Sequence, residues 1–159
     1  MDILDQAIEF EYLAHKMYSE YAAGAKSQAV KNIFAGLAED ELVHVQYIKA
    51  LKESTNMDIK PTATMHRIKE IISETDDSGF LAKETGINEV LKRALEFEKK
   101  AQLHYEKELA GASSPEQKRI LEIMAKEEAR HYDLINSLMK YLESPQTILE
   151  SQEFHWHET

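Results

Sequence analysis

Apolar and small residues recur at steps of three and four along four long stretches of this chain, the period of helices that bury one face. In the first stretch Leu4, Ala7, Ala14 and Tyr18 share a stripe with Glu11, and in the third Leu91, Ala94, Ala101 and Tyr105 share one with Glu98. The pattern predicts helices over about 3–23, 28–53, 87–109 and 115–142. Ser27 is placed to cap the second, and Ser114, with Pro115 at the first helical position and Gln117 three residues after the cap, to open the fourth. Gly24 and Gly111 mark where the first and third helices stop. Short turns within each half force antiparallel pairs. Residues 54–86 are too many for a turn, so they are expected to cross the length of the bundle, with a short helix near 63–73 and a polar loop at 74–78. The fold class is therefore all-α, an antiparallel four-helix bundle over 1–145 with a long crossover between its second and third long helices. A tail, 146–159, is expected to be partly ordered at best.

The two halves are copies. Residues 1–52 align without a gap on 88–139, at an offset of 87, and 18 of those 52 positions are identical, too many for chance. Glu11, Tyr18, Glu41 and His44 map onto Glu98, Tyr105, Glu128 and His131. The two Glu-x-x-His pairs lie on apolar stripes marked by Ala38/Ala125, Ile48/Ile135 and Leu51/Leu138, so four carboxylates and two imidazoles face the core. An isolated ionised carboxylate in an apolar interior costs several kcal/mol, and six inward polar groups need a common partner. A pair of divalent cations supplies it, because carboxylates bridge such metals and imidazole completes the shell of iron, manganese or zinc. Within Glu-x-x-His the side chains are about 60° apart around the helix and roughly 4.5 Å apart along it, so both reach one cluster. Other polar residues read differently. Glu9 and Glu96 also repeat but lie about 200° from the ligand stripe, on a solvated face. His15 and His104 lack repeat partners and read as packing or surface residues, and His155 and His157, around Trp156, lack a third ligand. Tyr18 and Tyr105 fit two roles at once, core aromatic and hydroxyl donor.

Composition narrows the class of partner. A formal charge of −10 argues against nucleic acid and favours cations, and zero Cys removes disulfides, iron–sulfur clusters and thiolate zinc sites. The 43% hydrophobic content over 159 residues suits one compact domain. No stretch reaches the roughly 20 apolar residues of a membrane span, and no cationic segment followed by an apolar run opens the chain. The expectation is a cytoplasmic protein without membrane or nucleic-acid partners.

The quoted residues resemble the ferritin-like di-iron carboxylate superfamily and are most similar to rubrerythrin-type proteins lacking a rubredoxin domain. The resemblance implies two iron ions, with manganese or zinc as substitutes. Glu41 and Glu128 would bridge them, Glu11 with His44 would hold one, and Glu98 with His131 the other. It also implies Tyr18 and Tyr105 as hydroxyl donors to carboxylates on neighbouring helices, and Asp40 and Glu127 as acceptors for the remaining N–H of a ligand histidine. Ala101 stands where rubrerythrins carry an extra Glu, so the ligand set is the symmetric kind of bacterioferritin-like sites. Leu42 replaces the haem-binding Met of bacterioferritins, so no haem is expected. The implied activity is reduction of peroxide or oxygen, with electrons from an external donor protein, in a homodimer or larger homo-oligomer. Ferrous-iron oxidation and storage is the alternative, followed by a non-catalytic metal scaffold or a substrate hydroxylase.

Overall fold

The computed structural model describes residues 3–53, 62, 64–75 and 77–144. Five helices and no strand occur among them: α1 (Ile3–Gly24), α2 (Gln28–Lys52), α3 (Thr64–Glu74), α4 (Ile87–Gly111) and α5 (Pro115–Glu143). The long four form the all-α antiparallel bundle expected of a ferritin-like chain, and their ends fall within two residues of the expected ones, the span over which last turns fray. Both caps are made. Ser27 Oγ accepts the Val30 N–H at 3.0 Å and Ser114 Oγ the Gln117 N–H at 3.1 Å. The short helix extends through Glu74, which the sequence pattern assigned to the loop. Buried Ile68 and Ile72 anchor it, and Thr75 Oγ1 closes its last turn by donating to the Ile71 carbonyl at 2.6 Å. The tail 146–159, with its His-Trp-His segment, lies outside the described residues.

Contacts at the two ends fix the course of the crossover. Lys52 at the end of α2 pairs with Asp5 at the start of α1. At the opposite end the buried Glu84 carboxylate accepts the Lys26 N–H at 2.9 Å and the Ser27 N–H at 2.7 Å. The chain between α2 and Glu84 therefore traverses the bundle, and α3 packs on α2 and α5 along the way. Gly86, at φ 72°, takes the left-handed conformation that turns the chain into α4.

The apolar core is divided in two. One cluster holds Tyr18, Ile33, Phe34, Leu91, Leu134 and Leu138 with Ile68 and Ile72 of α3; the other holds Ala7, Ile48, Tyr105, Ile120, Leu121 and Met124. On every long helix a polar core residue falls between the two: Glu11, Glu41 with His44, Glu98, and Glu128 with His131. Repeat mates occupy opposite clusters, as Tyr18 and Tyr105 or Ile33 and Ile120 do. The duplication therefore exchanges the ends of the bundle, about a pseudo-twofold axis perpendicular to its length. Phe10 stacks on its own mate Phe97 at 4.4 Å between ring centroids, as residues beside such an axis must.

Glu84 carries the anchor of the crossover, and the hydrogen bonds of a charged acceptor set its worth. Glu84→Ala should lower unfolding free energy by about 1–3 kcal/mol, read as a lower urea midpoint at constant slope. An unchanged midpoint would mean the crossover is held elsewhere.

Candidate metal centre

The residues on the repeated stripes converge in the gap between the two apolar clusters. Glu11, Glu41, His44, Glu98, Glu128 and His131 are all at most 1% exposed. They form two groups able to hold a cation, Glu11, Glu41, His44 and Glu128 in one and Glu41, Glu98, Glu128 and His131 in the other, with ligand atoms within 4.8 Å of one another in each. Glu41 and Glu128 belong to both.

His44 Nδ1 lies 3.6 Å from Glu11, 3.6 Å from Glu41 and 3.2 Å from Glu128. His131 Nδ1 lies 3.1 Å from Glu41 and 3.3 Å from Glu98. Two donor atoms on one metal, at bonds of roughly 2.1 Å and angles between octahedral and tetrahedral, stand about 3.0–3.4 Å apart. Three of the five separations fall in that range and the two at 3.6 Å lie just beyond it, a spacing suited to donors that close slightly on shared cations. The hydrogen-bond inventory agrees: both Glu41 oxygens, Glu11 Oε2, Glu98 Oε2, Glu128 Oε1 and both His44 nitrogens are buried without a hydrogen-bond partner. Orphaned buried carboxylate oxygens are costly unless something cationic faces them.

Four further groups surround the cluster. The Tyr18 hydroxyl donates to Glu98, and the Tyr105 hydroxyl donates to Glu11 Oε1 at 2.5 Å, each reaching across to the other half. Asp40 Oδ2 lies 2.9 Å from His131 Nε2, and Glu127 Oε1 3.5 Å from His44 Nε2. The Nε2 atoms thus face outward to carboxylates while the Nδ1 atoms face the cluster. Glu9 and Glu96 are exposed, and His15, whose Nδ1 lies 2.9 Å from the Ala38 carbonyl oxygen, and His104 are outside both groups.

Sequence reasoning passed over three residues that hold these outer carboxylates. The Thr62 and Thr64 hydroxyls donate to Asp40, the Thr62 N–H donates to Glu127 at 2.9 Å, and Arg130 donates to Glu127 at 2.8 Å. The threonines lie in the crossover, outside the repeat, where no periodicity marks them. Arg130 carried a signal: it replaces Val43 at the matching position, on a stretch where the neighbouring ligands are repeated.

The electrostatics of the metal-free cluster are those of too many carboxylates in too little water. Burial pushes the Glu41 carboxyl up, and the charges of Glu11 and Glu98 push it further, to about 8. Glu128 is raised by burial and then by Glu11, Glu41 and Glu98. Burial acts against Glu11 too, but the neighbouring Glu41 carboxyl and His44 imidazole outweigh it and bring it to about 2. Glu98 is lowered in spite of burial, chiefly by His131. Both imidazoles rise well above the usual range, because the surrounding carboxylates overcome a burial effect of opposite sign. Burial and the nearby carboxylates raise both tyrosines, so they remain donors.

Among models of protein families, the one described as Rubrerythrin matches residues 2–139. Neither the curated proteins nor the solved structures contain a match. Among the described residues, no helix is long and apolar enough to cross a membrane.

These shifts set how metal removal should behave with pH. Groups raised on folding, here Glu41, Glu128 and both histidines, stabilise the metal-free fold below their unfolded pKa and lose that contribution as pH rises. The lowered Glu11 and Glu98 contribute above about pH 4.5 and lose it only toward acid. Chelated protein should therefore become less stable between about pH 5.5 and about pH 8. Bound metal offsets the same charges and competes better with fewer protons. The difference in unfolding free energy between metal-loaded and chelated protein should widen over that interval, to at least the roughly 2.7 kcal/mol given by metal at a hundred times its dissociation constant, and the gap in melting temperature should widen with it. Identical melting with and without chelator at neutral pH would contradict a buried cation site.

Proposed function

This chain belongs to the rubrerythrin family, and on that premise we propose that it is a di-iron oxidoreductase of the cytoplasm that reduces peroxide or oxygen. One observation carries the reading: two Glu-x-x-His pairs and two further glutamates turn unpartnered oxygens and nitrogens toward one another in a buried site. Glu41 and Glu128, shared by both groups, would bridge the irons. Glu11 and His44 would hold one, Glu98 and His131 the other. When bound, ferrous iron supplies the electrons that carry peroxide to water.

The chain's own residues prepare the site. The Tyr18 and Tyr105 hydroxyls fix one oxygen each of Glu98 and Glu11, leaving the other oxygen of each without a hydrogen bond. Apolar clusters above and below limit water along the bundle axis, which strengthens every charge interaction between them. With no Cys in the chain, the electrons would be restored by a separate donor protein.

A second reading, ferrous-iron oxidation for storage or transfer, draws support from Ala14 and Ala101. Both are buried, one turn from Glu11 and Glu98 respectively, so neither half carries a further carboxylate there and the ligand set stays symmetric. In that reading ferrous iron is the substrate.

Anaerobic reconstitution with ferrous iron, then separate challenge with peroxide and with oxygen, tests the proposal. About two irons should bind per chain, and Glu41→Ala or Glu128→Ala should lose most of both. Peroxide should oxidise the two promptly, seen as ferric absorbance. Oxygen consumption sustained well beyond two irons per chain would favour the second reading. Full retention of two metals in both variants would sink the dinuclear assignment.

A further inference from the structure

Two of the three inner His–Glu contacts obey the twofold repeat, and those of the residues just outside the six ligand candidates do not. Glu98–His131 at 3.3 Å mirrors Glu11–His44 at 3.6 Å, and Glu41–His131 at 3.1 Å mirrors Glu128–His44 at 3.2 Å. The imidazoles themselves face each other at 5.7 Å between centroids. The His44–Glu41 contact at 3.6 Å has no mate within 4.0 Å between His131 and Glu128, and the repeat fails again at the outward nitrogens. His131 Nε2 meets Asp40 at 2.9 Å, a full hydrogen bond, whereas His44 Nε2 meets Glu127 at 3.5 Å, too long for a strong one.

The cause lies in what else each carboxylate binds. Asp40 otherwise accepts from the neutral hydroxyls of Thr62 and Thr64, while the half-exposed Arg67 lies 3.9 Å away and directs a 3.0 Å hydrogen bond at Thr64. Its charge is left facing the imidazole. Glu127 gives Oε2 to the buried Arg130 guanidinium at 2.8 Å, and its Oε1 takes the Thr62 N–H at 2.9 Å. Arg130 thus holds one oxygen, and the oxygen that faces His44 is shared with the Thr62 N–H. The repeat mate of Arg130 is Val43, which offers no such pairing.

A carboxylate hydrogen-bonded to the outer N–H of a ligand histidine raises the basicity of the nitrogen that binds metal and fixes the ring. Given the dinuclear reading above, on which this inference rests, we propose that the two metal positions are unequal. The position on Glu98 and His131 fills first and holds its cation more tightly. Arg130 acts as the positioning residue that weakens the position on Glu11 and His44, by drawing Glu127 off the imidazole. The site is a duplicated one whose halves have been made to differ from outside the ligand set.

The test is stepwise addition of cobalt(II) to the metal-free full chain, followed by calorimetry and by the visible bands of the bound ion. Wild type should bind in two resolved steps. Asp40→Asn should weaken the first by about 10- to 100-fold and leave the second nearly unchanged. Glu127→Gln should move the first step little. Arg130→Val, which copies the other half, should bring the second step toward the first, and Arg130→Lys should restore the separation. If a variant fails to fold, the wild-type titration can still overturn the inequality: two ions bound with equal affinity would do so while leaving the dinuclear reading intact. Binding of fewer than two would overturn the dinuclear reading itself. Equal weakening of both steps by Asp40→Asn, with wild type still biphasic, would overturn the assignment of the tight position.

Discussion

Four carboxylates and two imidazoles, each almost wholly out of water, meet in the middle of this bundle, and the cost of that arrangement governs the rest of the structure. Without a cation the cluster can exist only by holding protons, as the upward shifts of Glu41 and Glu128 show. A fold would not accumulate such groups for stability, since apolar residues of similar size would serve it better. What remains is to keep the ligand atoms aimed inward, and the two apolar clusters do so by packing the helices above and below the polar layer.

Duplication explains how so few sequence instructions build so particular a centre. One helix pair contributes a lone glutamate, a tyrosine and a Glu-x-x-His; its copy contributes the same set reversed end for end. The tyrosine seven residues beyond the lone glutamate then lies beside the other copy's glutamate, because the antiparallel α1 and α4 pass each other there. Each half completes the other. Neither a lone copy nor a parallel arrangement would bring Tyr105 to Glu11.

The crossover is where the copies stop being equivalent. It fastens by Glu84 at one end of the bundle, buries Ile68 and Ile72 against α2 and α5, and spends Thr62 and Thr64 on Asp40 and Glu127. A connection required by topology thus also sets the hydrogen bonding around the outward nitrogens of the two histidines. Together with Arg130 it distinguishes two halves that their inner residues leave alike.

The sequence by itself determined the helices, the antiparallel pairing and the six inward ligand candidates, because each rests on local periodicity or on an offset that can be counted. Caps such as Ser27 and Ser114 were legible for the same reason: their hydrogen bonds close over three residues. Other contacts join residues far apart in the chain, and no spacing encodes them. Thr64 meets Asp40 and Thr62 meets Glu127 only once α3 has docked, and Glu84 reaches the Lys26 and Ser27 N–H groups ahead of α2 only when the crossover has reached the far end. Asp40 and Glu127 show the division most clearly. Sequence marked them as equivalent positions next to bridging glutamates, but tertiary structure decided that one lies 2.9 Å from its histidine and the other 3.5 Å, because a carboxylate's reach depends on which cations and donors the fold brings to its other side.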